Sequence, residues 1–245
     1  MMRALITRPK TEAEMLAAQL ARQGVASVIE PLIEIVDREA ALSELAGVQA
    51  ILCTSANGVR ALARASDERG LPVFAVGDAT ARAAHAAGFH RIESAGGDVG
   101  DLAELVGRRL RPGDGELLHV AGSDVAGDLA AALGAAGFRV TRVALYEALA
   151  AAALSPRTAR LIDHGQIDLA LFFSPRTAAI FARLADAAGI AGGLAATIAV
   201  SISAAADAAL AGLPFRERVI AAVPTQAALL ARVAAIVGQP AAVDP

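Results

Sequence analysis

The chain has 245 residues, 56% of them apolar, so it can fill one large core or two of ordinary size and is not a disordered polypeptide. Its net charge of −3, with no block of like charge, excludes a nucleic-acid binder that works through a basic face, and any anionic ligand must be held by local donors. Aromatic residues are only 3%, which predicts cores of Ala, Val, Leu and Ile, and the lone cysteine, Cys53, excludes a disulfide framework and points to a reducing compartment.

Arg3–Thr7 reads as a short buried strand, and Arg8-Pro9-Lys10-Thr11 turns into a helix. There Met15, Leu16, Gln19, Leu20 and Gln23 recur at helical spacing, and Gly24 closes it. Val25–Glu30 is the next strand. Pro31 removes a ladder donor and marks the following Leu32–Glu39 run as an edge or a linker. A short helical piece, Glu39–Leu45, precedes the strand Ala50–Thr54. Ser55-Ala56-Asn57 then sits where a helix cap belongs, with Val59, Leu62 and Ala63 as the inner face. Val73–Val76 is a strand running into Gly77-Asp78-Ala79-Thr80 and a helix that ends at Gly88. Arg91–Ser94 is a weaker strand, and Asp101–Leu110 a helix. Arg111-Pro112-Gly113-Asp114-Gly115 is the clearest linker.

At Glu116 the pattern starts again. Leu117, Leu118 and Val120 form an apolar run, Ala121-Gly122-Ser123-Asp124 a small polar turn, and a helical segment ends at Gly137 before the run Val140–Tyr146. Leu133 and Gly137 repeat Leu20 and Gly24, and Glu147 repeats Glu34. Further on, Ser174 repeats Ser55, Gly212 repeats Gly88 and Val233 repeats Val106, with offsets that grow as loop-length changes require. The uncharged stretch Gly189–Ala206 is broken by Gly192, Gly193, Thr197, Ser201 and Ser203, and reads as loop, strand and helix start rather than a membrane span. The start of the chain carries no apolar run of export-signal length, so the cytoplasm is the expected location.

Strands alternating with helices in both halves predict parallel sheets with helices on both faces, roughly five strands to each half. Each half could close on itself, or the chain could leave its first domain at Pro31–Arg38 and return through Tyr146–Leu154. The equivalence of those two segments in the repeat favours a crossed arrangement with a two-stranded hinge.

Ligands of open parallel sheets bind beyond the carboxyl ends of the strands. Those ends are Thr7-Arg8-Pro9-Lys10, Thr54-Ser55-Ala56, Gly77-Asp78-Ala79-Thr80, Gly122-Ser123-Asp124, Ser174-Pro175-Arg176 and Ser201-Ile202-Ser203. Small or hydroxylic residues before a helix either cap it or leave backbone N–H groups to an anion. As a set they suit a ligand with many carboxylates or phosphates. The four histidines, His85, His90, His119 and His164, lack metal-ligand spacing, and Cys53 has no CxxC partner. No phosphate loop, dinucleotide fingerprint or nucleophile elbow is present. His119 lies within an apolar strand and reads as a core histidine. Tyr146, the sole tyrosine, sits at the expected hinge, where a phenol can serve as a proton donor.

The succession Leu5-Ile6-Thr7-Arg8-Pro9, Pro31-Leu32-Ile33-Glu34-Ile35, Thr54-Ser55-Ala56-Asn57-Gly58-Val59, Phe74-Ala75-Val76-Gly77-Asp78-Ala79-Thr80-Ala81, the mid-chain His119–Val140 segment with Leu145-Tyr146-Glu147-Ala148, and Phe172-Phe173-Ser174-Pro175-Arg176-Thr177-Ala178 resembles the uroporphyrinogen-III synthase family. The likeness covers nearly the whole chain in order and spacing. It implies an α/β fold of two doubly wound parallel-sheet domains with crossed connectivity. Domain one would hold 1–35 with 150–245 and domain two 38–147, with linkers at 31–38 and 146–154. It also implies a cyclising hydro-lyase without cofactor or metal. The enzyme closes linear hydroxymethylbilane to uroporphyrinogen III in the cleft between the domains, with loss of water and inversion of ring D through a spiro intermediate. The family's catalytic tyrosine falls on Tyr146. Substrate contacts fall on Thr7, Arg8, Pro9, Ser55, Ala56, Gly77, Asp78, Thr80, Gly122, Ser123, Ser174, Pro175, Arg176 and Ser201. One position departs: Ala204 stands where many members carry threonine, leaving Ser203 or Ser201 to supply any hydroxyl there. A monomer is expected, without nucleic acid or membrane. Two other readings compete, a two-lobed binding protein for anionic small molecules and a nucleotide-dependent enzyme, and the missing glycine fingerprints weigh against the second.

Overall fold

Short runs of Val, Ile and Leu bounded by glycine and small polar residues form the strands of the computed structural model, which describes residues 1–38, 42, 45–123 and 128–238. Two compact units result, Met1–Glu34 with Leu149–Pro245, and Ile35–Ala148.

In the first unit β1 (Arg3–Ile6), β2 (Ala26–Ile29), β9 (Leu169–Phe172), β10 (Ile198–Ser201) and β11 (Glu217–Ile220) form a parallel sheet in the order β11-β10-β9-β1-β2. The period-two alternation of side chains gives it two apolar faces. Ala4, Ile6, Leu169, Leu171, Ile198 and Val200 pack under Leu16 and Leu20 of α1 (Lys10–Ala21) and Leu229 and Val233 of α9 (Gln226–Val237). Met15, at the same helical spacing, is instead exposed. A trio of rings stands elsewhere in the unit: Phe172 lies 5.2 Å from Phe181 of α7 (Pro175–Ala187) and 6.2 Å from Phe215. The aromatic-poor composition thus hides a local concentration of rings, which interlock by tilted and edge contacts.

Buried Glu30, just past β2, fastens the start of α6 (Pro156–Asp163). Its carboxylate accepts from the Ser155 N–H at 2.7 Å, the Ser155 hydroxyl at 2.6 Å and the Thr158 hydroxyl at 2.5 Å. The chain leaves the unit shortly after Glu30 and re-enters it shortly before Ser155.

In the second unit β4 (Val48–Cys53), β5 (Val73–Ala75), β6 (Ile92–Ser94), β7 (Glu116–Gly122) and β8 (Val140–Ala150) run parallel in the order β8-β7-β4-β5-β6. Beside β8 lies β3 (Ile33–Asp37). Arg38 N–H donates to Leu145 O and Ala151 N–H to Leu32 O, so this edge pairing is antiparallel. Pro31 thus precedes an edge strand, as its missing N–H requires. One face of the sheet buries Ile51, Cys53, Val73, Leu118 and Val120 with Val59 and Leu62 of α2 (Ala56–Ala65). The other buries Ala50, Leu52, Phe74 and Leu117 with Leu102, Leu105 and Val106 of α4 (Val99–Arg109). Remaining crossovers are α3 (Asp78–Ala86), α5 (Leu129–Ala135) and α8 (Ala204–Ala208).

When β4, β5 and β6 are set against β9, β10 and β11, and β7 and β8 against β1 and β2, the two sheets have the same strand order. These are the pairs that the sequence repeat matches. Helix α4 starts two residues before the expected Asp101, because the Asp98 and Asp101 side chains form a reciprocal capping box. Gly189–Ala206 resolves into a 3-10 turn at Ala191–Ala196, β10 and the start of α8. Among the described residues no helix is long and apolar enough to cross a membrane. The helical piece expected at Glu39–Leu45 lies mostly outside the described residues.

Removing the Glu30 carboxylate leaves three donors without their acceptor. Glu30→Ala is expected to lower stability by about 2–3 kcal/mol in urea unfolding, with Glu30→Gln intermediate. A wild-type midpoint for Glu30→Ala would show that water replaces the carboxylate at no cost.

Candidate active site

A doubly wound sheet opens a crevice where the strand order reverses. In the second unit that point lies between β4 and β7, which carry Thr54-Ser55-Ala56 and Gly122-Ser123 at their carboxyl ends. The Ser55 side chain caps α2 by accepting from Gly58 N–H at 3.0 Å, and the Tyr146 phenol lies 2.8 Å from the same Ser55 Oγ.

Tyr146 reaches Ser55 through a break in the ladder. From Leu117 to Ala121, β7 pairs residue by residue with Val140 to Ala144, but Gly122 pairs with Tyr146, so Leu145 is an extra residue on β8. Leu145 and Tyr146 consequently lie in the same apolar cluster although they are neighbours in sequence. The ring rests against the Gly122 backbone, where a Cβ would stand 2.8 Å from Tyr146 Cζ and 2.9 Å from Cε2. The end of β7 is held by Arg142, whose Nη2 donates to Gly122 O and Ser123 O, both at 2.7 Å, and by Ser123 N–H donating to Tyr146 O at 2.9 Å. With only 9% of its surface exposed, Tyr146 is more enclosed than a side chain projecting from a linker would be.

In the first unit the reversal lies between β1 and β9. Thr7 is fully buried, and its hydroxyl donates to Leu171 O at 3.0 Å across the crevice floor. The Arg8 guanidinium lies 4.6 Å over the Phe173 ring and donates to Gln226 Oε1 at 2.7 Å, while Gln226 donates to Gln19. Ser174 caps α7 through Thr177 N–H and also meets the Thr177 hydroxyl at 2.8 Å; Pro175 and Arg176 form the exposed first turn.

The remaining expected residues divide. Pro9 and Gly77 begin α1 and α3 without a side-chain cap. Thr80 is buried in the first turn of α3, and Asp78 there accepts from the Ser94 hydroxyl at 2.8 Å. Glu12 and Asp78 supply the first turns of these helices with a carboxylate, which already balances the helix dipole. Ala56 opens α2. Ser201 is fully buried at the end of β10, its hydroxyl without a hydrogen-bond partner among the described residues, and Ser203 caps α8 through Ala206 N–H. Asp124 lies outside the described residues. Side-chain capping therefore accounts for Ser55, Ser174 and Ser203. The residues that sequence reasoning missed are Arg142, Phe173 and Gln226, whose roles depend on contacts distant along the chain.

Two groups are excluded as acids or nucleophiles. Burial, with a smaller effect from Arg142, lowers the His119 pKa to about 4, so its imidazole, 3.4 Å from Thr54 Oγ1, is neutral at ordinary pH. Burial pushes the Cys53 thiol up to about 12. Among the described residues no cluster of His, Cys, Asp or Glu could hold a metal ion. A cavity of about 380 Å³ lined by Pro72, Val73, His90, Arg91, Ile92 and Arg109 lies at the amino ends of β5 and β6, the opposite end of that sheet from the β4–β7 crevice.

The sequence profile of uroporphyrinogen-III synthase HemD matches residues 14–231. The chain belongs to the uroporphyrinogen-III synthase family. Members close hydroxymethylbilane to uroporphyrinogen III with loss of water and inversion of ring D, a step of heme and tetrapyrrole biosynthesis, and this chain is such a synthase, a cyclising lyase. Uroporphyrinogen-III synthetase from Helicobacter pylori superposes with a TM-score of 0.65 at 15% identity, covering 96% of this chain and 100% of that one. A mutant uroporphyrinogen III synthase from Thermus thermophilus gives 0.54 at 19% identity, covering 96% and 99%. At such identities the likeness establishes the fold. No curated protein matches the sequence.

Between His119's folded value of about 4 and its ordinary 6.5, the unfolded chain carries the extra proton. Stability should therefore fall as pH drops through this window. Urea unfolding at stepped pH is expected to show that slope in the wild type and a shallower one in His119→Gln; equal slopes would assign acid lability to other groups. Cys53 should resist alkylation in the folded protein and react once it unfolds, and rapid labelling under native conditions would contradict its burial.

Proposed function

We propose that the synthase works without a cofactor and that Tyr146 is its proton donor. The phenol gives its proton to the terminal hydroxyl of hydroxymethylbilane, the C–O bond breaks, and water leaves. The last pyrrole ring then attacks through its substituted carbon to give the spiro intermediate, whose reopening and reclosure invert that ring, and the ring proton lost on reclosure returns to the phenolate. The observation carrying this role is the phenol's seat at the β4–β7 switch point, hydrogen-bonded to Ser55 beside the bare Gly122 backbone.

The bilane bears eight carboxylates, and a chain of net charge −3 can bind them only through local donors. We assign substrate contacts to the switch-point loops: Thr7, Arg8, Pro9, Ser174, Pro175 and Arg176 in the first unit, and Ser55, Ala56, Gly122 and Ser123 in the second. Gly77, Asp78 and Thr80 at α3, and Ser201 at β10, extend these sets. Thr7 and Ser55 take part through their backbone and position, since their hydroxyls serve Leu171 and the Gly58–Tyr146 pair. The bilane is reactive by itself, so the protein's task is mainly orientation, worth roughly 7–11 kcal/mol. A strong nucleophile is unnecessary.

In this reading the two units are the family's two domains, with 1–35 and 150–245 in one, 38–147 in the other, and 31–38 and 146–154 as linkers. The enzyme acts as a monomer in the cytoplasm, without nucleic acid or membrane.

Purified protein supplied with enzymatically generated hydroxymethylbilane should give the inverted type III isomer, read by chromatography. Tyr146→Phe should lower turnover by about a hundredfold with an unchanged circular dichroism spectrum, the scale of a lost general acid. Type I product alone from the wild type would refute the activity, and near-normal turnover in Tyr146→Phe would refute the proton-donor role.

A further inference from the structure

We propose that Gly122 and Ser55 are positioning residues for the Tyr146 phenol, with Ser55 donating its hydroxyl hydrogen to the phenol oxygen. The inference rests on the proton-donor reading of Tyr146 and specifies what that reading requires.

The geometry has three linked parts. The extra residue Leu145 turns Tyr146 onto the face occupied by α2. Only glycine leaves room for the ring, since any Cβ at Gly122 would stand 2.8–2.9 Å from two ring carbons. The phenol oxygen then arrives 2.8 Å from Ser55 Oγ. Gly58 donates to that same oxygen at 3.0 Å; the cap uses one of its two lone pairs and not its hydrogen, so Ser55 can donate to the phenol oxygen while it caps α2. Gly58 is itself close-packed: a Cβ there would lie 3.1 Å from Val120 O and 3.4 Å from Ser55 Oγ. The cap is thereby fixed against β7.

Directing the Ser55 hydrogen at the phenol oxygen leaves the phenol's own hydrogen for the substrate. As the Tyr146 O–H bond breaks, its proton passes to the leaving hydroxyl, the substrate C–O bond breaks, water departs, and the phenolate oxygen keeps the electron pair. The Ser55 hydrogen bond then acts on a developing negative charge, where such bonds strengthen. It is worth more in the transition state than in the ground state, so its loss falls on kcat rather than KM.

Capping and positioning are separable. Glycine is a tolerated N-cap, whereas threonine keeps both the cap and the hydroxyl. We expect Ser55→Gly to lower kcat by about ten- to a hundredfold with KM little changed, the worth of one hydrogen bond to a developing charge. Ser55→Thr should restore most of that loss. Gly122→Ala should lower kcat similarly, and the double variant Gly122→Ala with Tyr146→Phe should be no slower than Tyr146→Phe alone. If Gly122→Ala fails to fold, the Ser55 pair decides the matter. A Ser55→Gly enzyme with wild-type kcat, or Gly122→Ala losses that add fully to those of Tyr146→Phe, would overturn the proposal while leaving the proton-donor role intact. Wild-type turnover in Tyr146→Phe would instead remove that role, and the proposal with it.

Discussion

A strand alternates its side chains between two faces, and β8 breaks that alternation once, at Leu145 and Tyr146. The single extra residue moves Tyr146 from the face of α4 to that of α2. Its consequences spread outward. The ring needs a neighbour without a side chain, which Gly122 supplies, and its hydroxyl needs a polar partner in an otherwise apolar cluster, which Ser55 supplies. Ser55 is available because it already caps α2 at the point where the strand order reverses. Arg142 closes the arrangement by holding the Gly122 and Ser123 carbonyls at the end of β7.

The same economy recurs in the other unit. Thr7 ties β1 to β9, and Arg8 is held over Phe173 by its contact with Gln226. A guanidinium held in this way loses less conformational freedom when it meets a carboxylate than a free side chain would. This suits a protein of negative net charge acting on a polyanion, because overall attraction is absent and each donor must be placed locally. Neither Cys53, a buried thiol, nor His119, a neutral core imidazole, is an activated nucleophile.

Much of this was legible in the sequence, wherever the determinants are local. Ser55, Ser174 and Ser203 stand in the sequence where helix caps belong and are helix caps, since a hydroxyl three residues from an unpaired N–H forms the bond without outside help. Gly24, Gly88 and Gly137 end helices with positive φ, where a side chain would be strained. The alternation of apolar runs with helical segments established the α/β class, and the succession of motifs from Thr7 to Thr177 pointed to the uroporphyrinogen-III synthase family. Pro31 marked the edge strand through a missing donor.

Sequence by itself therefore determined most of the elements, several of their caps and the family, because each depends on residues within a turn or two of one another. Tertiary structure alone decided which of these residues meet. Tyr146 and Ser55 are 91 residues apart, Arg8 and Gln226 218 apart, and Glu30 and Ser155 125 apart. No local pattern encodes such pairs. Leu145 and Tyr146 look like an ordinary inward and outward neighbour in the sequence. Only the packing of β8 against β7, with one residue too many for the ladder, turned both to the same side and brought the sole tyrosine to a serine.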